Sequence, residues 1–171
     1  EDRPRMPSTL PPMVLKLGGE YMNLGEAPRR QAYSKEKFIR EEIGKLESDG
    51  IITKSKSPIS SQVVVVPKKG NTFRMCVDYR RVNLHLEDLK FPLPRIDDIF
   101  HTLEGKKWFA VLDLKSGYHQ ILLEKSSAYI SAFVTSTGLF EYTRVPFGLK
   151  TAPAYFQMFC GEPQIRVDEV E

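Results

Sequence analysis

The stretch VLDLKSGYHQ, residues 111–120, sets an acid, Asp113, at the end of an apolar run and a phenol, Tyr118, five residues later. Trp108, Phe109, Ala110, Val111 and Leu112 form that run, so the Asp113 carboxylate is expected at the carboxyl end of a buried strand, where ligands tend to bind. The same residue could instead cap the Ser116-Gly117 turn, a common use of aspartate after a strand. One carboxylate is also a thin site for a hard cation such as Mg²⁺, which normally takes at least one more acidic ligand. A second candidate chemistry lies upstream. Between Lys54 and Arg81 stand seven basic residues, Lys54, Lys56, Lys68, Lys69, Arg74, Arg80 and Arg81, against the single acid Asp78. Such a window is a candidate polyanion surface or simply a solvated basic face.

The elements that must position these groups are partly readable. Residues 1–33 are rich in proline and show no sustained period, which predicts an extended arm or linker rather than a core element. From Ser34 a helix is expected, with Ser34 as its cap, Glu36 near the positive end of its dipole, and Ile39, Ile43 and Leu46 as its apolar stripe. Gly50 should stop it, with Ile51 reaching back to Leu46. Gln62–Val66 and Thr72–Tyr79 read as the strands of a hairpin tipped by Lys68-Lys69-Gly70-Asn71. Alternation on its second strand sends Phe73, Met75, Val77 and Tyr79 one way and Arg74, Cys76, Asp78 and Arg80 the other. Pro92 and Pro94 lead into a helix whose buried stripe would be Ile96, Ile99, Phe100 and Leu103, ended by Gly105. A strand should run from Trp108 to Leu112. Ser131–Ser136 and Leu139–Arg144 predict a second hairpin through Thr137-Gly138, and Thr151-Ala152-Pro153 opens a last helix carrying Tyr155, Phe156 and Phe159.

Composition bounds the rest. A chain of 171 residues, 41% hydrophobic, suffices for one ordinary domain or two small lobes sharing a core. No run of 18 apolar residues exists, and EDRPRMPSTLPP lacks the apolar centre of a signal peptide, so the expectation is an intracellular protein with no membrane partner, cytoplasmic or nuclear. Cys76 and Cys160 have no zinc-like spacing and are expected as buried thiols.

Four ordered stretches, FRMCVDYRRVN, FPLPRIDDI, WFAVLDLKSGYHQI and AFVTSTGLFEYTRVPFGLKTAPAYFQ, resemble the fingers and palm of a reverse transcriptase of the gypsy-type long-terminal-repeat retrotransposons. The likeness covers residues 33–159. It implies an α+β fold, a right-hand polymerase fingers/palm fragment with a mixed, mostly antiparallel sheet and packed helices. The division it implies is an arm or linker at 1–33, fingers at 34–87 and 121–150, partial palm at 88–120 and 151–160, and a divergent acidic tail at 161–171.

By the same resemblance, Asp113 is a catalytic metal ligand joined by the carbonyl of Leu114, and two Mg²⁺ ions serve phosphoryl transfer to a primer hydroxyl. The backbone N–H groups around Ser116 and Gly117 would face the triphosphate of a dNTP. Tyr118 would exclude a 2′-hydroxyl by packing on the sugar, the alternative being a core tyrosine under the turn. Lys69 and Arg74 would fold onto the triphosphate, and Phe147 and Gly148 would line the nucleotide, Gly148 permitting close backbone approach. Lys54, Lys56, Lys68 and Arg80 would contact an RNA or DNA template-primer. Tyr155, Phe156 and Phe159 are read as core rather than base-stacking residues.

The family's Tyr-x-Asp-Asp hairpin is not found in these residues. After Phe159 the sequence reads CGEPQIRVDEVE, departing from the family near Cys160, and Asp168-Glu169 lacks the tyrosine and apolar strands of a substitute. The chain by itself is therefore expected to be inactive as a polymerase. Its palm sheet would keep an apolar edge open to the missing polymerase half or to another chain. A non-catalytic nucleic-acid-binding remnant and a protein-interaction module are the alternative readings.

Overall fold

The computed structural model describes residues 11–19, 23–68, 70, 72–91, 95–108 and 116–160. Helix α1, Tyr33–Ser48, begins one residue before the expected cap. Ala32 takes the N-cap position with no side-chain bond, its carbonyl accepting from Lys35 and Glu36 at 2.9 and 3.0 Å, so Ser34 lies inside the first turn. Backbone acceptance satisfied the helix start where a hydroxyl was expected. Ile39 and Ile43 are buried and Leu46 is partly so, as the stripe requires. The stop is a Schellman turn: Gly50 has φ +68°, its N–H donates to Glu47 O at 3.0 Å, and Ile51 N–H donates to Leu46 O at 2.9 Å.

A five-stranded sheet follows in the order β1-β5-β4-β2-β3. Its strands are β1, Ile52–Lys54; β2, Ser61–Lys68; β3, Thr72–Asp78; β4, Phe133–Thr135; and β5, Gly138–Tyr142. All neighbours are antiparallel except β2 and β4, which run parallel through Ser61↔Phe133 and Gln62↔Val134. The expected mixed, mostly antiparallel sheet with packed helices is thus present. Val63 and Val65 of β2 and Phe133 and Phe140 of the β4–β5 hairpin lie in one core with Ile39 and Ile43 of α1.

The second hairpin is shorter than its sequence pattern because Ser131 closes a 3₁₀ turn, Ala128–Ser131, instead of entering the strand. Its hydroxyl donates to Ala128 O at 2.7 Å and accepts from Tyr142 N–H at 3.0 Å. At the far end Arg144 leaves the sheet to bridge Leu122.

Further expectations are corrected. β3 ends at Asp78, and Tyr79 is the N-cap of an unforeseen helix, α2, Arg80–His85, so Arg80 is not on a strand. Its apolar pattern, Val82 with Leu86, spans one turn and is too short to declare a period; both residues are buried. The N-terminal segment is extended but not peripheral. Met13, Leu15 and Leu24 are core residues, bridged through Met13↔Leu123, Leu17↔Leu86 and Gly25↔Ser60. Apolar residues in an aperiodic segment can still be buried when the segment lies along the sheet and loops.

Helix α3, Ile96–Leu103, forms where expected and ends before Gly105, φ +74°. Its supposed buried stripe is not buried at the positions described: Phe100 is 65% exposed and Leu103 42%. Periodicity indicates the face that wants cover, not whether cover is at hand. Ile96 and Ile99 fall outside the described side chains. Trp108, 93% exposed, is not in a strand, and the remainder of that expected strand lies outside the described residues. Helix α4, Ala152–Cys160, carries buried Tyr155 and half-buried Phe156, while the Phe159 and Cys160 side chains are outside the description. Cys76 is half-buried rather than buried. No described helix is long and apolar enough to cross a membrane.

Candidate nucleotide-facing site

The 3₁₀ turn Gly117–Gln120 presents the candidate gate. Ser116, before it, has φ 52° and ψ 45°, a left-handed conformation for a non-glycine residue. That conformation costs roughly 1–2 kcal/mol and tends to persist where surrounding structure enforces it, often at functional sites. Enforcement here is visible: His119 N–H donates to Ser116 O at 2.9 Å, and Arg144 donates through Nη1 to His119 O at 3.1 Å. Strand-like bonds Val145 N–H to Ile121 O and Leu123 N–H to Thr143 O, both 2.9 Å, tie the turn's exit to the end of the second hairpin.

This pairing brings Tyr118 against Phe147, 29 residues on in sequence. The ring centroids are 5.0 Å apart at an interplanar angle of 66°, and Phe156 of α4 meets Tyr118 from another side at 5.4 Å and 84°. His119 completes the group, 5.4 Å from Phe147 and 6.2 Å from Tyr142. Edge-to-face contact of this kind fixes ring orientation beyond what area burial alone does. Phe147 is nevertheless half-exposed, so the cluster presents an aromatic wall to solvent. Burial of the His119 imidazole, with the Arg144 charge as a smaller contribution, holds its pKa below the ordinary histidine range.

Gly148 has φ +99°, and a Cβ there would sit 3.4 Å from Tyr79 Cδ2 and 3.6 Å from Val77 O. Glycine is favoured at this position by its dihedral, since a Cβ would find only ordinary contact with the end of β3 but the positive φ would be strained for any other residue. Beneath it, the fully buried Tyr79 hydroxyl donates to Ser131 O at 2.7 Å, and burial pushes its phenol pKa well above the usual value, so it stays a neutral donor.

The structure therefore brings Ser116, Gly117, Tyr118, Phe147 and Gly148 into one neighbourhood. It does not gather the basic residues. Lys54 is on β1 and Arg74 on β3, opposite edges of the sheet. Four strand spacings of about 4.8 Å put them on the order of 19 Å apart. Lys56 is exposed in the loop after β1, and Lys68 and Arg74 are exposed on the β2–β3 hairpin. Phe73, next to Arg74, packs on Phe38 of α1 at 5.6 Å, so the arginine projects from a fixed strand. Arg80 forms a close pair with Asp78, 2.6 Å, which lowers the Asp78 pKa chiefly through the side-chain hydrogen bond. Arg81 pairs with Glu26 at 3.3 Å and donates to Asn23 O at 3.1 Å. The sequence window of seven cations is thus not one patch.

Lys69, Asp113 and Leu114 lie outside the described residues. Among the described residues no three His, Cys, Asp or Glu side chains gather as a metal site. A carboxylate and a carbonyl oxygen suit a hard cation, but one carboxylate falls short of what a two-metal centre takes. His119, Phe156 and Arg144 were not foreseen as site residues; their signal was aromatic and basic character within motifs already singled out.

With this geometry in hand, the chain belongs to the reverse transcriptase (RNA-dependent DNA polymerase) family, whose model matches residues 66–169. The match runs past Cys160, where the sequence pattern suggested a departure. Its relatives place it among retrotransposon polyproteins of the gypsy type. It is 44% identical over 134 residues to the retrovirus-related Pol polyprotein from transposon 412 of Drosophila melanogaster, covering 75% of this chain and 11% of that protein. It is 40% identical over 121 residues to the transposon Tf2-3 polyprotein of Schizosaccharomyces pombe, covering 71% of this chain and 9% of that protein. The chain thus spans about a tenth of the length of these relatives. The fold is shared with a prototype foamy virus protease-reverse transcriptase, TM-score 0.79 at 24% identity, over 90% of this chain and 20% of that one. A foamy viral protease-reverse transcriptase solved in complex with dsDNA gives TM-score 0.76 at 22% identity, over 94% and 32%.

Proposed function

We propose that residues 34–87 and 121–150 act as the fingers, and 88–120 and 151–160 as part of the palm, of an RNA-directed DNA polymerase that extends a primer on an RNA or DNA template with dNTPs. The observation that carries this reading is the wall formed by Tyr118, Phe147 and Phe156 around a strained turn at Ser116. In it, the Tyr118 ring bars a 2′-hydroxyl, the amides of Ser116 and Gly117 receive the triphosphate, and Lys69 and Arg74 close over it from the hairpin. Lys54, Lys56, Lys68 and Arg80 contribute phosphate contacts to the template-primer, with Arg80 the weakest because Asp78 already holds it. The foamy viral enzymes solved with an RNA/DNA hybrid and with dsDNA support a nucleic-acid partner.

Asp113, with the Leu114 carbonyl, would hold Mg²⁺, which when bound supplies charge stabilisation of the transferring phosphate. Because these 171 residues contain no Tyr-x-Asp-Asp, the polypeptide alone lacks the second half of that site.

The test is single-nucleotide incorporation on a primed template with Mg²⁺. The 171-residue polypeptide should give none, whereas the full-length polymerase carrying this sequence should extend the primer and lose that activity on Asp113→Asn. Incorporation by the short polypeptide, or full activity of the Asp113→Asn enzyme, would overturn the reading. The exposed Phe100, Leu103 and Trp108 favour, as a second reading, docking of further polymerase sequence or another chain there.

A further inference from the structure

The loop that carries Phe147 and Gly148 is short, half-exposed and bent through a positive φ, so something must hold it. Asn83, on α2, does so with both halves of its amide. Nδ2 donates to Gly148 O at 2.9 Å, and Oδ1 accepts from Lys150 N–H at 2.9 Å. One side chain thereby spans a carbonyl and an N–H two residues apart, 65 and 67 positions away in sequence. Only a primary amide can make both bonds at once: a carboxylate cannot donate to a carbonyl, and a hydroxyl is too short to reach both.

Asn83 itself is anchored. Its N–H donates to Tyr79 O at 2.7 Å, and its neighbour Val82 is buried to 1% exposure. The Tyr79 ring lies directly beneath Gly148. The far side of the loop is held by Lys150, which pairs with Asp88 at 2.7 Å. The loop is thus gripped at Gly148 and Lys150, leaving Phe147 as the residue projected toward Tyr118 and His119.

We infer that Asn83 is a positioning residue for the nucleotide pocket, acting through Phe147: the amide clamp sets the ring against which the Tyr118 gate closes. The inference rests on the proposed function above. It assigns to α2, a helix that touches neither the Tyr118 ring nor the turn at Ser116 in any described contact, control over how strictly the pocket selects its sugar.

The experiment uses the full-length polymerase carrying this sequence and compares dNTP with rNTP incorporation. Asn83→Asp keeps the size and one bond but sets a carboxylate against the Gly148 carbonyl; Asn83→Ala removes both bonds. Each should raise the KM for dNTP about 3- to 10-fold with kcat little changed, the scale of one or two hydrogen bonds. Each should also narrow the preference for dNTP over rNTP, while template-primer affinity stays constant. In a Phe147→Ala background the Asn83 substitutions should add nothing, which a general loss of stability would not produce.

Two controls separate the possible failures. If Tyr118→Ala widens sugar acceptance but folded Asn83 variants, judged by unchanged melting temperature, leave KM and discrimination alone, the clamp role is wrong. If Tyr118→Ala also changes nothing, the nucleotide-facing reading of the wall falls and the inference falls with it. Additive effects of Asn83→Ala and Phe147→Ala would likewise overturn it.

Discussion

The sheet and the α3 stretch handle the same kind of residue in opposite ways. In the sheet, Phe133 is fully buried and its ring lies 5.9 Å from Phe140 and 5.2 Å from Tyr142. On α3, Phe100 has an equally clear helical pattern around it, yet 65% of it faces solvent, and Trp108 is barer still. Both regions follow their local sequence rules. Among the described residues they differ in whether a covering element lies beside them, and an amphipathic pattern thus records a demand for a partner rather than its presence.

The contrast breaks most readily at its largest expected effect. Phe133→Ala should destabilise the 171-residue polypeptide by about 3–5 kcal/mol, the range for large aromatic truncations in a core. Phe100→Ala should change stability by less than about 0.5 kcal/mol, as at an exposed site. Urea denaturation of the two variants measures the difference, and comparable losses would mean that α3 is packed as firmly as the sheet.

A smaller effect sharpens what holds the covered side together. Tyr79→Phe deletes a hydroxyl donating at 2.7 Å to Ser131 O in a fully buried setting. About 1–3 kcal/mol should be lost, because the acceptor is left without its donor. A neutral result would place the strength of that region in ring packing alone.

The smallest effect is in pH. The folded pKa of His119 lies below its ordinary value of 6.5, first through burial and then through Arg144. Between the two pKa values the unfolded chain binds the extra proton, so this contribution to stability is complete above about pH 6.5 and is lost as the pH falls below it. Replacing the imidazole in His119→Phe keeps a ring between Phe147 and Tyr142 and should flatten the decline in thermal melts as the pH falls below 6.5. An unchanged decline would assign that pH sensitivity elsewhere.

Legibility followed the range of the interaction. The Gly50 stop, the β2–β3 hairpin and α4 could be read because their signals sit within a few residues. The Tyr118–Phe147 neighbourhood came from family motifs, not from spacing, since ring contacts across 29 residues leave no periodic trace. The Ser34 cap failed because the Ala32 carbonyl satisfied the helix start. Arg80 was placed on a strand because one turn of helix, Val82 to Leu86, is too brief to show a period. The single basic patch failed for a topological reason: β1 and β3 are near in sequence, but β5, β4 and β2 intervene between them. Asp113, Leu114 and Lys69 rest on motif resemblance alone.

The N-terminal segment carries a kinetic consequence. Leu15 N–H donates to the Ser127 hydroxyl across 112 residues, and the Tyr155 hydroxyl donates to Pro11 O across 144. Made early on the ribosome, this segment cannot settle until α4 has been synthesised, and closing loops of that length slows folding. The first part of the region to be translated is then among the last to lock. Until it does, Leu123 and Leu86 lack their strand-like partners and the nascent domain stays open to misassembly.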